Sequence, residues 1–282
     1  MNAPEQVARY LKSDALPVFW CPGCGNGIIL GSLMRVFNRM QLAPERTVVT
    51  TGIGCWGKAD DYLKTNSIHG THGRALPFAT GVKAANAELT VLALMGDGDC
   101  ATIGGNHFLH AARRNIDVTA VISNNFNYGM TGGQYSATTP VESYTSTSVY
   151  GNPEGDFDLC EIALAAGATL VARSTVYHVQ LLERVLEQAV RHRGFSVVEV
   201  LSSCPVYYGR YNDCPSPVDM MKLWRSRAVA VERHRTMDAE DRAAHIPIGV
   251  LGTRDRLDFN TRYERIQKQA RAQMGGGTDG AN

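Results

Sequence analysis

Three short, uninterrupted apolar runs constrain this chain most: 90–95 (TVLALM), 117–122 (DVTAVI) and 196–200 (SVVEV). None alternates polar with apolar residues, so each reads as a strand buried on both faces, the habit of a parallel sheet. The run 47–51 (TVVTT), which ends at Gly52, and the run 169–172 extend the series. Between them lie stretches of helical period. In 25–40 the apolar residues Ile28, Ile29, Leu33, Met34, Phe37 and Met40 share one face. Segments 76–87, 104–114, 159–166 and 179–191 read as further helices, and the charged stretch up to about Pro17 reads as helical too. Strands alternating with such helices predict an α/β fold: a doubly wound, mostly parallel sheet. Ligands of such sheets bind at the carboxyl ends of the strands. Here those ends carry 52–58, 96–99, 124–133 and Cys204.

A chain of 282 residues supports one or two domains. The α/β pattern runs over 1–215. Residues 217–282 carry 12 Lys and Arg against 9 Asp and Glu, few periodic apolar runs and a GGGTDGAN end. We expect 216–282 to be a C-terminal arm that packs on another subunit or forms a solvated helical extension, ending in a disordered tail. The formal net charge of +1 gives no support for a nucleic-acid partner. No run of about 18 apolar residues is present, so no membrane span is expected. The first twenty residues lack the apolar core of a signal peptide, and a cytoplasmic protein is expected.

Gly96-Asp97-Gly98 closes one buried strand and Asn124-Asn125 closes the next, one β-α-β crossover later. Both therefore meet at one sheet edge. Glycines let the backbone approach a diphosphate, and the following helix offers its N-terminal N–H groups to it. Asp97 and Asn125 supply hard oxygens for Mg²⁺. This spacing matches the thiamine diphosphate signature, whereas a phosphate-binding G-x-x-x-x-G-K-[ST] loop is absent from the sequence.

Seven cysteines, an odd number, argue against a disulfide framework in a cytoplasmic chain. Cys21-Pro-Gly-Cys24 precedes a helix, while Cys55 and Cys204 each follow a strand. Four thiolates from three separate loops suit a [4Fe–4S] cluster. Structural zinc, redox thiols and plain core cysteines are the alternatives. Cys100 and Cys160 sit in apolar helical settings and read as inert core thiols. His72-Gly-Arg74 is either a phosphate-binding turn or an ordinary capped one, and Lys58 is by default a surface lysine.

Taken in order, Cys21-Pro-Gly-Cys24-Gly, Gly54-Cys55 with Lys58, His72-Gly-Arg74, Gly96-Asp-Gly-Asp99, Asn124-Asn125 and Tyr128-Gly-Met-Thr-Gly-Gly-Gln134 closely resemble the β subunits of 2-oxoacid:ferredoxin oxidoreductases, most of all those of the 2-oxoglutarate enzymes. The resemblance spans roughly 16–210. It implies a cluster held by Cys21, Cys24, Cys55 and Cys204, and Mg²⁺ held by Asp97, the Asn125 side chain and the Asn127 carbonyl. It implies thiamine diphosphate against Ile53, Gly54, Cys55, Trp56, His72, Gly98, Asp99, Gly129 and Met130. It places Lys58 near the substrate; Arg74, after His72-Gly73, is a second candidate for that contact, and Lys58, His72 and Arg74 are the expected catalytic residues. The reaction implied is oxidative decarboxylation of a 2-oxo acid, 2-oxoglutarate or else pyruvate or another, with coenzyme A accepting the acyl group and ferredoxin the electrons. A thiamine-dependent decarboxylase with structural zinc and a non-catalytic electron-transfer subunit are the alternative functions. No glutamate lies in a motif matching the thiamine-activating carboxylate, which the family takes from an α subunit, so an αβ or (αβ)₂ assembly is expected. One departure from the family pattern is Ser136-Ala137-Thr138-Thr139, where relatives commonly have Pro after the Ser.

Overall fold

The computed structural model describes residues 7–275. Eight strands form one sheet in the order β2-β1-β3-β4-β6-β5-β8-β7. The expected runs supply β1 (Thr47–Thr51), β3 (Thr90–Gly96), β4 (Thr119–Asn124), β5 (Leu170–Thr175) and β6 (Ser196–Leu201), all parallel. Their continuous apolarity has a direct cause. Leu92, Leu94, Val198 and Val200 point into one core, while Val91, Ala93, Met95 and Val197 point into the other. The first core is roofed by α1 (Asn26–Arg39) and α5 (Val179–Arg191). The second is roofed by α2 (Ala75–Ala85), α3 (Gly105–Arg114) and α4 (Leu159–Ala166). Each fully buried Leu or Val contributes about 1.5–3 kcal/mol relative to exposure, so both faces of the sheet are needed to hold it.

Three strands lie outside the expected runs. Edge strand β2 (Asn66–His69, NSIH) is polar and largely exposed, with nothing to bury on its outer side. The C-terminal stretch, expected to form an arm, contributes β7 (Ala228–Ala230) and β8 (Ile246–Thr253) to the same sheet. Strand β8 runs antiparallel to β5 and is broken up by Pro247, Gly249 and Gly252, which hide it from a period-based reading. Asn115, the left-handed C-cap of α3, donates from its amide to the carbonyls of Arg256 and Leu257 and so ties this stretch to the core. The remaining helices are α6 (Pro217–Arg227), α7 (Val231–His234), α8 (Ala239–Ala244) and α9 (Phe259–Gly275). The expected tail falls on 276–282, outside the described residues. The helix expected up to Pro17 is realised, within the described residues, as a turn near Val7 and a short 3₁₀ helix at Ser13–Ala15. No helix among the described residues is long and apolar enough to cross a membrane.

The chain leaves β1 toward β2 on one side, then returns through α2 to β3 on the other. The crossovers thus reverse direction between β1 and β3. A sheet splays open at its carboxyl edge at such a switch point, and this is where a ligand cleft forms.

Candidate active site

The cleft opens where the reversal puts it. Ile53, Gly54, Cys55 and Trp56 line it after β1, Asp97, Gly98 and Asp99 after β3, and Asn125, Asn127, Tyr128, Gly129 and Met130 after β4, with His72 completing the wall. Every residue expected to touch thiamine diphosphate or Mg²⁺ is therefore in one lining. Beyond β3 the chain makes a short, wide π-helical turn at Gly98–Ile103 before α3 begins. The ring of Tyr128 lies against Gly98, where a β-carbon would stand 2.3 Å from Cε1, so only glycine lets the loop and the ring coexist.

Two buried carboxylates dominate the electrostatics. Asp97 is 1% exposed and burial pushes its pKa up to about 6. Its Oδ2 accepts from the hydroxyls of Ser136 (2.5 Å) and Thr138 (2.8 Å), and its Oδ1 accepts from the Asn125 N–H at 3.4 Å. Asp99 is also pushed up to about 6 by burial. Its Oδ1 accepts from the N–H groups of Gly73 (2.7 Å) and Ile53 (3.2 Å), and His72 Nε2 lies 3.5 Å away. Its Oδ2 is buried with no hydrogen-bond partner. An orphaned carboxylate oxygen beside a second buried carboxylate fits a site built for a cationic or hydrogen-bonding ligand. Burial lowers the pKa of His72, which favours the neutral ring, and that ring packs edge-on to Tyr128 at 5.9 Å.

A second cavity adjoins the first. Cys21, Cys24, Cys55 and Cys204 line it with Phe19, Trp20, Pro205, Val206 and Tyr207. The Trp20 indole donates to the Cys55 carbonyl at 2.6 Å, fixing the turn that carries the thiol. Burial pushes the Cys24 thiol up to about 12 and the Cys55 thiol to about 11, and the neighbouring thiols add to both shifts. Among the described residues, the group of three or more His, Cys, Asp or Glu ligand atoms within 4.8 Å of one another is Asp158, Cys160 and Glu199. That group is bridged by the Arg173 guanidinium, which donates to Glu199 at 2.6 Å and Asp158 at 2.7 Å. Cys100 and Cys160 are buried in the second core, and Cys214 lines neither cavity.

Lys58 and Arg74 also line neither cavity. Lys58, on the 3₁₀ helix Trp56–Tyr62 that follows Cys55, pairs with Asp61 at 2.5 Å. Arg74 is exposed and its guanidinium meets His107 at 2.5 Å. Sequence reasoning missed Ser136 and Thr138 as parts of the site. The signal for both was the hydroxyl-rich Ser-Ala-Thr-Thr run itself, whose partner, Asp97, lies about 40 residues earlier.

A mostly parallel sheet with a carboxylate- and asparagine-lined cleft at its switch point is the arrangement expected of a thiamine diphosphate-binding enzyme chain. Accordingly, residues 31–200 match the family described as thiamine pyrophosphate enzyme, C-terminal TPP binding domain. The 2-oxoglutarate synthase subunit KorB of Archaeoglobus fulgidus is 44% identical over 94% of this chain and 96% of its own length. The subunit of the same name from Methanocaldococcus jannaschii is 39% identical over 94% of this chain and 98% of its own. The solved 2-oxoglutarate:ferredoxin oxidoreductase from Magnetococcus marinus, with 2-oxoglutarate, coenzyme A and succinyl-CoA bound, superposes with a TM-score of 0.83 at 29% identity, over 100% of this chain and 93% of that one. The chain belongs to the family of 2-oxoglutarate synthase KorB subunits, within the thiamine pyrophosphate enzymes.

Proposed function

We propose that this chain is the β subunit of a 2-oxoglutarate:ferredoxin oxidoreductase that binds thiamine diphosphate, Mg²⁺ and one [4Fe–4S] cluster. With an α subunit it converts 2-oxoglutarate and coenzyme A to succinyl-CoA and CO₂, reversibly, and passes the electrons to ferredoxin. The observation that carries this reading is the shared wall: Cys55, Asn125, Gly129 and Met130 line both the carboxylate cleft and the four-thiol cavity. An electron leaving the first has only this wall to cross.

Asp97, the Asn125 side chain and the Asn127 carbonyl would hold Mg²⁺, and the Asp97 carboxylate already stands buried for that purpose. Bound thiamine diphosphate supplies an electron sink for loss of CO₂ from a 2-oxo acid. The π-turn at Gly98 and the ring of Tyr128 shape the wall that excludes water, and Asp99 fixes the Ile53 and Gly73 N–H groups at the cleft mouth. Cys21, Cys24, Cys55 and Cys204 would ligate the cluster, which replaces the thiol protons that burial alone would retain. The wall that the four-thiol cavity shares with the carboxylate cleft favours this over the structural zinc of a plain decarboxylase.

Among the described residues that line the cleft none is a glutamate, so the α subunit supplies the activating carboxylate. Ile53 and Met130, both in the cleft lining and more than a third exposed, are apolar surface that the α subunit would cover. The assembly is αβ or (αβ)₂ in the cytoplasm. Lys58, and second Arg74, are the candidates to meet a substrate carboxylate, each after leaving its present partner. Anaerobic co-expression with the α subunit, followed by assay on a panel of 2-oxo acids with coenzyme A and ferredoxin, tests the reading. We expect turnover of 2-oxoglutarate above pyruvate and a cluster-type visible spectrum; a colourless, zinc-containing protein would overturn it.

A further inference from the structure

The hydroxyls on Asp97 are unevenly placed. Both Ser136 Oγ (2.5 Å) and Thr138 Oγ1 (2.8 Å) donate to Oδ2, whereas Oδ1 has one long main-chain contact at 3.4 Å. Oδ2 is thereby saturated and Oδ1 is left for an ion. The two donors are themselves fixed. Ser136 and Thr138 are 2% and 1% exposed. Thr139 anchors their turn, its hydroxyl donating to the Phe126 carbonyl at 2.6 Å and accepting from the Ser136 N–H at 2.8 Å. Thr138 Oγ1 also lies 3.1 Å from Asn124 Oδ1. The Asn124 amide cannot turn over, because its Nδ2 donates to Glu199 at 2.8 Å and Glu199 is held by Arg173. Asn124 thus keeps a competing acceptor beside Thr138, whose single proton goes to the nearer, charged Asp97 Oδ2.

We infer that Ser136 and Thr138 are positioning residues that restrict Asp97 to one-oxygen coordination and so select Mg²⁺ over Ca²⁺ in this cleft. Mg²⁺ requires a compact octahedron with near-ideal angles, to which a carboxylate gives one oxygen. Ca²⁺ tolerates higher coordination numbers and accepts both oxygens of a carboxylate. A carboxylate whose second oxygen is occupied by two hydroxyls can serve the first ion fully and the second only in part. This rests on the reading of the cleft as a divalent-cation and thiamine diphosphate site.

The test titrates Mg²⁺ and, separately, Ca²⁺ into the purified αβ complex with thiamine diphosphate, followed by calorimetry. Ser136→Ala and Thr138→Val should each raise the Mg²⁺ concentration for half-saturation by about 10-fold or more, the usual cost of losing a group that orients a metal ligand. Ca²⁺ should shift much less, so the preference for Mg²⁺ narrows. Thr138→Ser, which keeps the hydroxyl, should behave as the parent protein. Equal shifts for both ions, or none, would overturn the inference, and Ser136→Ala alone decides it should Thr138→Val not fold. Asp97→Asn separates the two levels: if it binds Mg²⁺ and thiamine diphosphate as tightly as the parent, the cleft reading itself fails. If it loses both while Ser136→Ala and Thr138→Val change nothing, only the positioning role fails.

Discussion

Gly52 stands against the carboxylate of Asp99 so closely that a β-carbon built on it would lie 2.3 Å from both Oδ1 and Oδ2. Neither side can give way easily, because Asp99 is pinned by two main-chain N–H groups. Gly52→Ala should therefore destabilise the protein by about 1–3 kcal/mol, the usual cost of overpacking. It should also weaken thiamine diphosphate binding, since relief moves Asp99 into the cleft. Urea unfolding and calorimetry on the same preparation check both effects, and wild-type values for both would contradict the packing argument.

The ionisation of Asp99 predicts a pH dependence with a definite sign. Its pKa rises from 3.8 to about 6 on folding. Below 3.8 the group is protonated in both states; as pH rises through this window the unfolded chain ionises first, and stability is lost. The apo form of Asp99→Asn, which cannot ionise, should match the parent near pH 4 and exceed it above pH 6, by an amount approaching about 3 kcal/mol. Urea midpoints across pH measure this, and a gap that does not vary with pH would argue against it.

The cluster ligands can be told apart from the bystanders. Cys204 lines the four-thiol cavity and Cys214 does not. Anaerobically purified Cys204→Ala should lose the cluster and its visible absorbance, whereas Cys214→Ala should retain its full iron content. The reverse result would reassign the fourth ligand.

Gly129 sits between the two cavities, and a methyl there would lie 3.6 Å from Cys55 Sγ and 3.7 Å from Cys204 Sγ. The apo chain has room for it. A cluster core between those sulfurs does not leave that room. Gly129→Ala should keep its thermal stability without iron and lose iron on reconstitution. Full iron loading in the variant would move the cluster away from this glycine.

Lys58→Ala tests the substrate. Lys58 is half-exposed and pairs with Asp61 at the surface, so the substitution should cost at most about 1 kcal/mol of stability. If Lys58 turns inward to the distal carboxylate, kcat/KM for 2-oxoglutarate should fall by about 10²-fold, about 3 kcal/mol, and that for 2-oxobutyrate far less. Equal losses on both substrates would remove Lys58 from the distal carboxylate.

How much of this was legible in the sequence depends on where the information lies along the chain. β3, β4 and β6 could be read because each buries both faces, as Leu92 and Ala93 do on opposite sides. β2 could not, because Asn66–His69 buries almost nothing and owes its place to pairing with β1. The cofactor motifs could be read because Asp97 and Asn125 sit at strand ends one crossover apart, a distance the topology fixes. Ser136 and Thr138 could not, since their pairing with Asp97 is a long-range contact made by an irregular loop. Lys58 shows the opposite failure: three residues from Cys55 in sequence, it nonetheless projects toward Asp61 and away from the cleft lining.

The antiparallel seat of β8 has a consequence for the order of synthesis. Strand β5 ends at Thr175 and its outer neighbour β8 begins at Ile246, about 70 residues later. At translation rates of about 5–20 residues per second, the outer edge of β5 waits roughly 4–14 s for its partner to be made. During that interval the nascent chain carries a row of unpaired N–H and C=O groups open to any passing strand. A ribosome stalled within 216–245 would thus hold a chain with its cofactor motifs complete and its sheet unfinished, the state most in need of a chaperone.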